Sequence, residues 1–207
     1  DGLPVAREGR VYRRGFISEA RVRCAQIYLE PALDHPAWSL LTALDVSMFT
    51  DIEREFLTRA PLTRLRRLSG VHAETLESIS LPPTVTHVQP NGRLHHCPEG
   101  IEALEITTYA FGDLWVFGRQ EKHPQLALLS IAAHRQPQGE DLAVIRSLLE
   151  PPRPARLVLI HIHRAEDEEP VEVWRLEVAG DTWDFRGDDQ VLQLLRELTV
   201  PVSDEWL

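Results

Sequence analysis

The sequence is poor in cysteine and in long apolar runs, and both shortages limit what the protein can be. The two cysteines, Cys24 and Cys97, are too few for a disulfide framework, so we expect a reducing compartment and a cytoplasmic protein. No apolar run approaches the roughly 18 residues of a membrane-spanning helix, and no signal peptide is visible. The chain starts at Asp1 without methionine, so it could be a segment of a longer protein.

Positive charge is also scarce. The 22 basic residues are outnumbered by 32 acidic ones, which gives a formal net charge of −10. Nucleic acids and anionic membranes require a basic face, so we expect neither as a partner. Arg64, Arg66 and Arg67 are a local exception, because they form a basic patch within four residues.

Sequence signatures of catalysis are missing as well. The chain has no G-x-S-x-G elbow, no P-loop and no G-x-G-x-x-G after a strand. We therefore predict a protein that is not an enzyme, with no catalytic residues and no cofactor.

A metal site is disfavoured by ligand spacing. His95-His96-Cys97 offers nitrogen and sulfur donors, and His161 and His163 project together from a strand. A zinc site needs about four converging ligands, and the chain contains neither C-x-x-C nor H-E-x-x-H. We predict no metal, which also disfavours a small metal-dependent hydrolase. The acidic run 166–169 lacks the spacers and glycine of a calcium loop, so a solvated hairpin tip is favoured.

What the chain does contain is a spaced apolar triplet, Φ-x-x-Φ-x-Φ, that recurs about seven times. A recurring unit of this size indicates a stack of similar strand-plus-connection modules. The second and third positions are two residues apart, so in a strand both side chains face the core. The copies are Ile17-Ala20-Val22, Leu41-Leu44-Val46, Leu65-Leu68-Gly70, Val85-Val88-Pro90, Ile101-Leu104-Ile106, Leu126-Leu129-Ile131 and Leu157-Ile160-Ile162. Gly70 and Pro90 are weak members, and Pro90 predicts that the fourth strand pairs poorly or ends early.

Between the triplets the apolar period changes to that of helices. Thr50-Asp51-Ile52-Glu53 matches a capping box and predicts a helix that ends before Pro61. Residues 73–80 and 139–150 are also predicted to be helical. Residues 113–120 fit either one helical turn or an apolar loop.

The pattern changes after residue 163. Alternating apolar residues on both sides of Gly180-Asp181 predict a strand hairpin, and Asp188-Asp189 precedes an amphipathic helical pattern. We therefore predict two domains, a repeat domain at 11–163 and a C-terminal hairpin and capping helix at 164–207. A cap is expected because the open end of a repeat stack exposes apolar side chains.

The triplets resemble leucine-rich repeats, as in Leu41–Val46 (LTALDV) and Leu126–Ile131 (LALLSI). The opening Tyr12–Ile17 (YRRGFI) is similar to the start of divergent leucine-rich-repeat proteins expanded in myxobacteria and planctomycetes, which implies a bacterial protein. The resemblance covers about residues 11–163. It implies an α/β solenoid of about seven short parallel strands, with helices or irregular turns on its convex side.

The chain departs from that family at the bends. A standard repeat has asparagine or cysteine three residues after the triplet, where the side chain satisfies backbone groups. These positions hold Ala25, Phe49, Ala73, Arg93, Tyr109, His134 and Ala165. The bends must therefore be satisfied in another way.

The resemblance implies protein–protein recognition through the concave strand face, so we predict a non-enzymatic interaction scaffold with a protein partner. The alternative is a sensory or regulatory module of a larger multidomain protein whose effector domain lies outside this chain. The oligomeric state is not predicted. The predicted binding residues are the outward-facing side chains Arg21, Arg23, Asp45, Arg66, Arg67, His87, Glu102, Glu105, His161 and His163. Solvated strand faces are the alternative reading of these side chains.

Overall fold

The computed structural model describes residues 10–13, 16–22, 32–114, 123–163, 171–189 and 191–193. The chain forms two compact units, the first of residues 1–94 and 98–101 and the second of residues 95–97 and 102–207. The domain boundary predicted after residue 163 falls next to residues 164–170, outside the described residues, and it stays a prediction.

The first unit is built from five strands that neighbour one another in sequence order. Strand β1 pairs antiparallel with β2, whereas β2, β3, β4 and β5 pair in parallel. The strands are β1 (Val11–Arg13), β2 (Phe16–Val22), β3 (Ala43–Val46), β4 (Arg67–His72) and β5 (His87–Asn91). The connections contain a 3-10 helix (Pro36–Leu40) and two α-helices, α1 (Thr50–Arg59) and α2 (Ala73–Ser78).

The second unit also has five described strands in sequence order, but its last two reverse direction. Strands β6, β7 and β8 are parallel, and β8, β9 and β10 pair antiparallel. They are β6 (Ala103–Thr108), β7 (Leu128–Ala133), β8 (Arg156–His163), β9 (Val171–Ala179) and β10 (Thr182–Arg186). A 3-10 helix (Phe111–Leu114) and helix α3 (Glu140–Leu149) lie in the connections. The structure is therefore α/β with mostly parallel strands, as predicted, and β9–β10 is a hairpin.

The triplets align in register within each unit. Ala20, Leu44, Leu68 and Val88, the second positions of four successive copies, are direct partners on neighbouring strands. Leu104 pairs with Leu129 in the same way. All these second-position side chains are buried. The apolar ladder expected from the triplets is thus present in both units.

The seventh copy is displaced by three residues from its predicted position. Leu129 pairs with Leu157, and Ile131 pairs with Leu159, so the core positions of β8 are Leu157 and Leu159. Ile160, predicted to face the core, is only half-buried. The prediction was wrong because four consecutive apolar residues, 157–160, fit either phase of a strand.

The fourth copy pairs further than predicted. Strand β5 continues through Pro90 to Asn91, which pairs with His72, and the irregularity lies on β4 between Ser69 and His72. One extra residue on β4 forms a bulge, which lets pairing resume beyond the proline that lacks a donor.

Gly70 is the residue that this bulge requires. Its φ of +78° is in the left-handed region, and a Cβ there would collide with the carbonyl oxygen of Val46 and lie 2.8 Å from Oδ1 of Asp45. The third triplet therefore has glycine at its third position because β4 approaches β3 so closely there that only glycine fits.

The predicted capping box is wrong, and its glutamate has a different role. Phe49 precedes the helix and Thr50 is its first residue, with no side-chain cap. The Glu53 side chain is fully buried. It accepts a hydrogen bond from the backbone N–H of His72 (2.8 Å), and Nδ1 of His72 lies 3.0 Å from its other oxygen. This carboxylate ties α1 to the end of the next strand.

Asp141 has the corresponding role in the second unit. Its buried carboxylate accepts the backbone N–H groups of Gly112 and Gln138, and Nη2 of Arg135 lies 2.8 Å away. The hydrogen bond to Asp141 raises the pKa of Arg135. The 3-10 helix after β6, the loop after β7 and the start of α3 therefore share one acceptor.

The predicted helices at 73–80 and 139–150 are confirmed as α2 and α3 with slightly shorter bounds. Residues 111–114 form a 3-10 turn, and residues 115–122 lie outside the described chain. In the C-terminal helical pattern, residues 191–193 are helical with Val191 buried. The rest of that pattern is not described.

We expect Asp141→Asn to lower the free energy of unfolding by about 3 kcal/mol. The substitution replaces one buried acceptor oxygen with an NH2 group, which cannot accept the hydrogen bonds that this oxygen receives. Urea unfolding followed by circular dichroism measures this loss. The matched control is Glu140→Gln, an exposed neighbour in the same helical turn, whose effect should stay within about 0.5 kcal/mol. Equal effects of the two variants would contradict the role given to Asp141.

We expect Gly70→Ala to destabilise the protein more than Gly92→Ala. Both glycines have positive φ, but an added Cβ collides only at Gly70 and meets open space at Gly92. The Gly92→Ala variant therefore measures backbone strain alone, which costs about 1 kcal/mol of stability. The collision at residue 70 should add roughly 1–3 kcal/mol to the stability lost in Gly70→Ala. Thermal melts that superimpose for the two variants would refute the close approach of β3 and β4.

Candidate functional site

The predicted binding residues of the first unit lie mainly on the side of β2–β5 that faces away from the core. We call this surface the first-unit strand face. Because the strands are parallel and in register, its side chains form two rows across the strands. One row is Glu19, Ala43, Arg67 and His87, and the other is Arg21, Asp45, Ser69 and Gln89.

The second row contains an ion pair between two predicted site residues. Nε of Arg21 lies 2.5 Å from Oδ2 of Asp45, its register partner on β3. The two side chains are 41% and 34% exposed, so solvent screens the pair and its contribution to stability is about 1 kcal/mol or less. Arg23 lies outside the described residues.

Arg66 and Arg67 are exposed at the start of β4, two residues after exposed Arg64. Their backbone is fixed by both neighbouring strands. The carbonyl of Thr42 accepts the N–H groups of Arg66 and Arg67, and the carbonyl of Arg66 accepts those of residues 86 and 87. The two arginines therefore project from a rigid part of the unit.

In the second unit, Glu102 precedes β6 and is exposed, and Glu105 lies half-buried on the side of the strands that faces away from the core. The carbonyl of Glu102 accepts the N–H groups of Ala127 and Leu128, so Glu102 holds the position in its repeat that Arg66 holds in the first unit. Equivalent positions thus carry opposite charges in the two units.

The outward side of β8–β10 is held by ion pairs. Arg156 donates a 2.6 Å hydrogen bond to Glu177, and Arg175 lies 3.4 Å from the same carboxylate. The hydrogen bond from Arg156 and the nearby charge of both arginines lower the pKa of Glu177, and the same bond raises the pKa of Arg156. Val158, between the register partners Ser130 and Glu177, is only 2% exposed.

His161 does not lie on the outward face as predicted. The three-residue displacement of the seventh copy places it on the core side with Leu157 and Leu159, and it is 8% exposed. Its ring centroid is 6.2 Å from that of Trp174. His163, by contrast, is exposed at the end of β8, so the two histidines differ in burial.

The environment of His161 disfavours its charged form. Burial lowers its pKa, and the nearby rings of His163 and His134 lower it further, although a hydrogen bond with the backbone of His134 acts in the opposite direction. Within the described residues, Nδ1 of His161 and Nε1 of Trp174 are buried without a hydrogen-bond partner. Two unsatisfied nitrogens this close together make the end of β8 a costly polar site in the core.

The described side chains do not assemble a metal site. His95 and His96 are exposed and Cys97 is a half-buried thiol. Among the residues that the structure covers, no group of three or more His, Cys, Asp or Glu side chains could hold a metal ion. Nor does any helix in that part of the chain have the length and apolar character to cross a membrane.

Comparisons with known proteins identify no family for this chain. No protein-family model matches it, and neither a curated protein nor a solved structure is significantly similar. The resemblance to leucine-rich-repeat proteins therefore remains a prediction from the triplets.

We expect the protein to lose stability as the pH falls below about 7, in part through His161. A histidine with a lowered folded-state pKa binds more protons when unfolded, so protonation favours unfolding by at most about 1.4 kcal/mol per pH unit. His161→Gln should flatten the stability profile between about pH 7 and pH 5 relative to the wild type. Chemical denaturation at each pH measures this slope.

The control for this experiment is His163→Gln, an exposed histidine at the end of the same strand. It should change the slope much less than His161→Gln does, because burial lowers the pKa of His161 more than the neighbouring His163 does. A His161→Gln variant that keeps the full pH dependence would contradict the assignment.

Proposed function

We propose that this chain is a leucine-rich-repeat-like solenoid and acts as a non-enzymatic interaction scaffold that binds a protein partner through its strand faces. The in-register ladder of triplets carries this proposal. Ala20, Leu44, Leu68 and Val88 are direct register partners on neighbouring strands. The outward-facing residues next to them along each strand therefore form straight rows. Regular rows of accessible side chains are the binding surface that repeat proteins use.

The distribution of packing supports the strand face over the helical side. In the first unit, Phe56 of α1 is fully buried and packs edge-on against Trp38, so the helices lie over the core side of the strands. The outward rows instead combine half-buried and exposed polar side chains with small ones such as Ala43 and Ser69. Polar groups of both signs on a rigid base favour recognition by charge complementarity.

The proposed setting is the cytoplasm of a bacterium. The small number of cysteines supports a reducing compartment, and the resemblance of the opening residues supports the bacterial origin. The missing sequence signatures of catalysis support a binding role. The partner is a protein, and neither nucleic acid nor a membrane is proposed as a ligand.

We expect a photo-crosslinking amino acid on the first-unit strand face to capture one partner in lysate from the native organism. Ala43 and Gln89 are suitable positions, because they lie in different rows and on different strands. Both should yield the same adduct by mass spectrometry. Exposed Glu74 and Glu77 on α2 are the matched controls and should yield none of it.

All four variants should melt at the same temperature, so that differences in capture do not reflect unfolding. Equal capture from the helix positions, or capture from neither strand position, would refute recognition by the strand face.

A further inference from the structure

The arginines of the described chain divide into two sets. Arg64, Arg66 and Arg67 are here called the arginine cluster, and their side chains make no hydrogen bond or ion pair within the part of the chain that the structure describes. The other arginines with described side chains all interact with protein groups. They are Arg10, Arg21, Arg54, Arg59, Arg93, Arg135, Arg146, Arg153, Arg156, Arg175 and Arg186.

Three unpaired guanidinium groups within four residues are unexpected in a chain with net charge −10. Like charges repel one another, and a nearby carboxylate would relieve the repulsion. The chain has ample acidic residues to provide one, so their absence from this position calls for a physical explanation.

The acidic residues of the first unit are concentrated elsewhere. Helices α1 and α2 carry Asp51, Glu53, Glu55, Glu74 and Glu77. On the parallel strands, Asp45 is already paired with Arg21, and Glu19 lies two strands away from Arg67, about 10 Å at the spacing of a sheet. Among the described residues, no acidic side chain of the first unit therefore pairs with the arginines at the start of β4.

The immediate neighbours of Arg67 leave room for a ligand. Its register partner on one side is Ala43, which has a short side chain, and on the other side it is His87. The guanidinium of an exposed arginine can form two parallel hydrogen bonds to one carboxylate. Arg66, the preceding residue, is also exposed and adds a second such donor at the start of β4.

We propose that the arginine cluster binds an acidic segment of a protein partner, through aspartate or glutamate carboxylates. This inference rests on the proposed function, and it specifies the partner chemistry around Arg67, the member of the cluster in the rows of the first-unit strand face. Carboxylates are favoured over a nucleic acid because the cluster contains only three cations. Nucleic-acid binding requires a wider basic footprint.

The test uses the whole chain and a short fluorescein-labelled peptide that alternates glutamate and serine, with binding followed by fluorescence anisotropy. We expect saturable binding that weakens as the ionic strength rises from about 0.05 M to about 0.5 M, because salt screens exposed charges. The same peptide with glutamine in place of glutamate should not bind. R64Q/R66Q/R67Q should lower the affinity by about tenfold or more.

Two further variants distinguish an effect of the arginine cluster from an effect of net charge. R93Q/R146Q/R186Q removes the same charge from three exposed arginines elsewhere and should bind the peptide as the wild type does. R64K/R66K/R67K keeps the charge but lacks the guanidinium fork, and should bind with intermediate affinity. All variants should melt within a few degrees of the wild type, since the substituted side chains are exposed.

Several outcomes would overturn the proposal. They are equal peptide binding by the cluster variant and its control, equal binding of the glutamine peptide, absence of binding, or tighter binding of a single-stranded oligonucleotide of equal charge. The proposed function is judged separately by cross-linking at Ala43. If the wild type and R64Q/R66Q/R67Q capture the same partner there equally well, strand-face recognition stands and the role of the cluster is refuted.

Discussion

A stack of short parallel strands can form only if the backbone groups at the bends between strands find partners. Leucine-rich repeats meet this requirement with an asparagine that recurs in every copy, and this chain has none at those positions. Buried carboxylates take that role at two of the bends. Glu53 joins α1 to the end of β4, and Asp141 joins two successive connections of the second unit. A buried charge is stable only with its full set of donors, so each carboxylate fixes the loops that supply them.

The strand starts are fixed by a second set of contacts that involves backbone alone. At three strand starts, a single carbonyl accepts two N–H groups from the next strand, namely that of Thr42, Arg66 or Glu102. These bonds place no demand on the side chains at the same positions. Threonine, arginine and glutamate can therefore occupy them without loss of register, and the sequence of the strand face can vary while the ladder remains unchanged.

The sequence predicted the parallel ladder well because apolar spacing and strand geometry obey the same period of two. It failed where that period gave no unique answer. Residues 157–160 are all apolar, so the strand phase of β8 was undetermined and His161 was placed on the wrong side. Glu53 was assigned to a local capping box because sequence shows only near neighbours. Its actual partner, His72, is 19 residues away and depends on how the next strand packs. The role of Gly70 was missed because a close approach between strands leaves no mark on the sequence except the glycine.

The residues that stabilise this fold and the residues that could recognise a partner are physically separate. Stability depends on buried groups: the apolar triplets, Glu53 and Asp141. The arginine cluster contributes nothing comparable, because exposed cations without partners gain no ion-pair energy and repel one another. Since the side chains of Arg64, Arg66 and Arg67 pair with no described residue, we propose that they serve an interaction outside the described chain. The rigid backbone at the start of β4 strengthens this argument, because side chains on a fixed base lose less conformational freedom on binding than those on a loop.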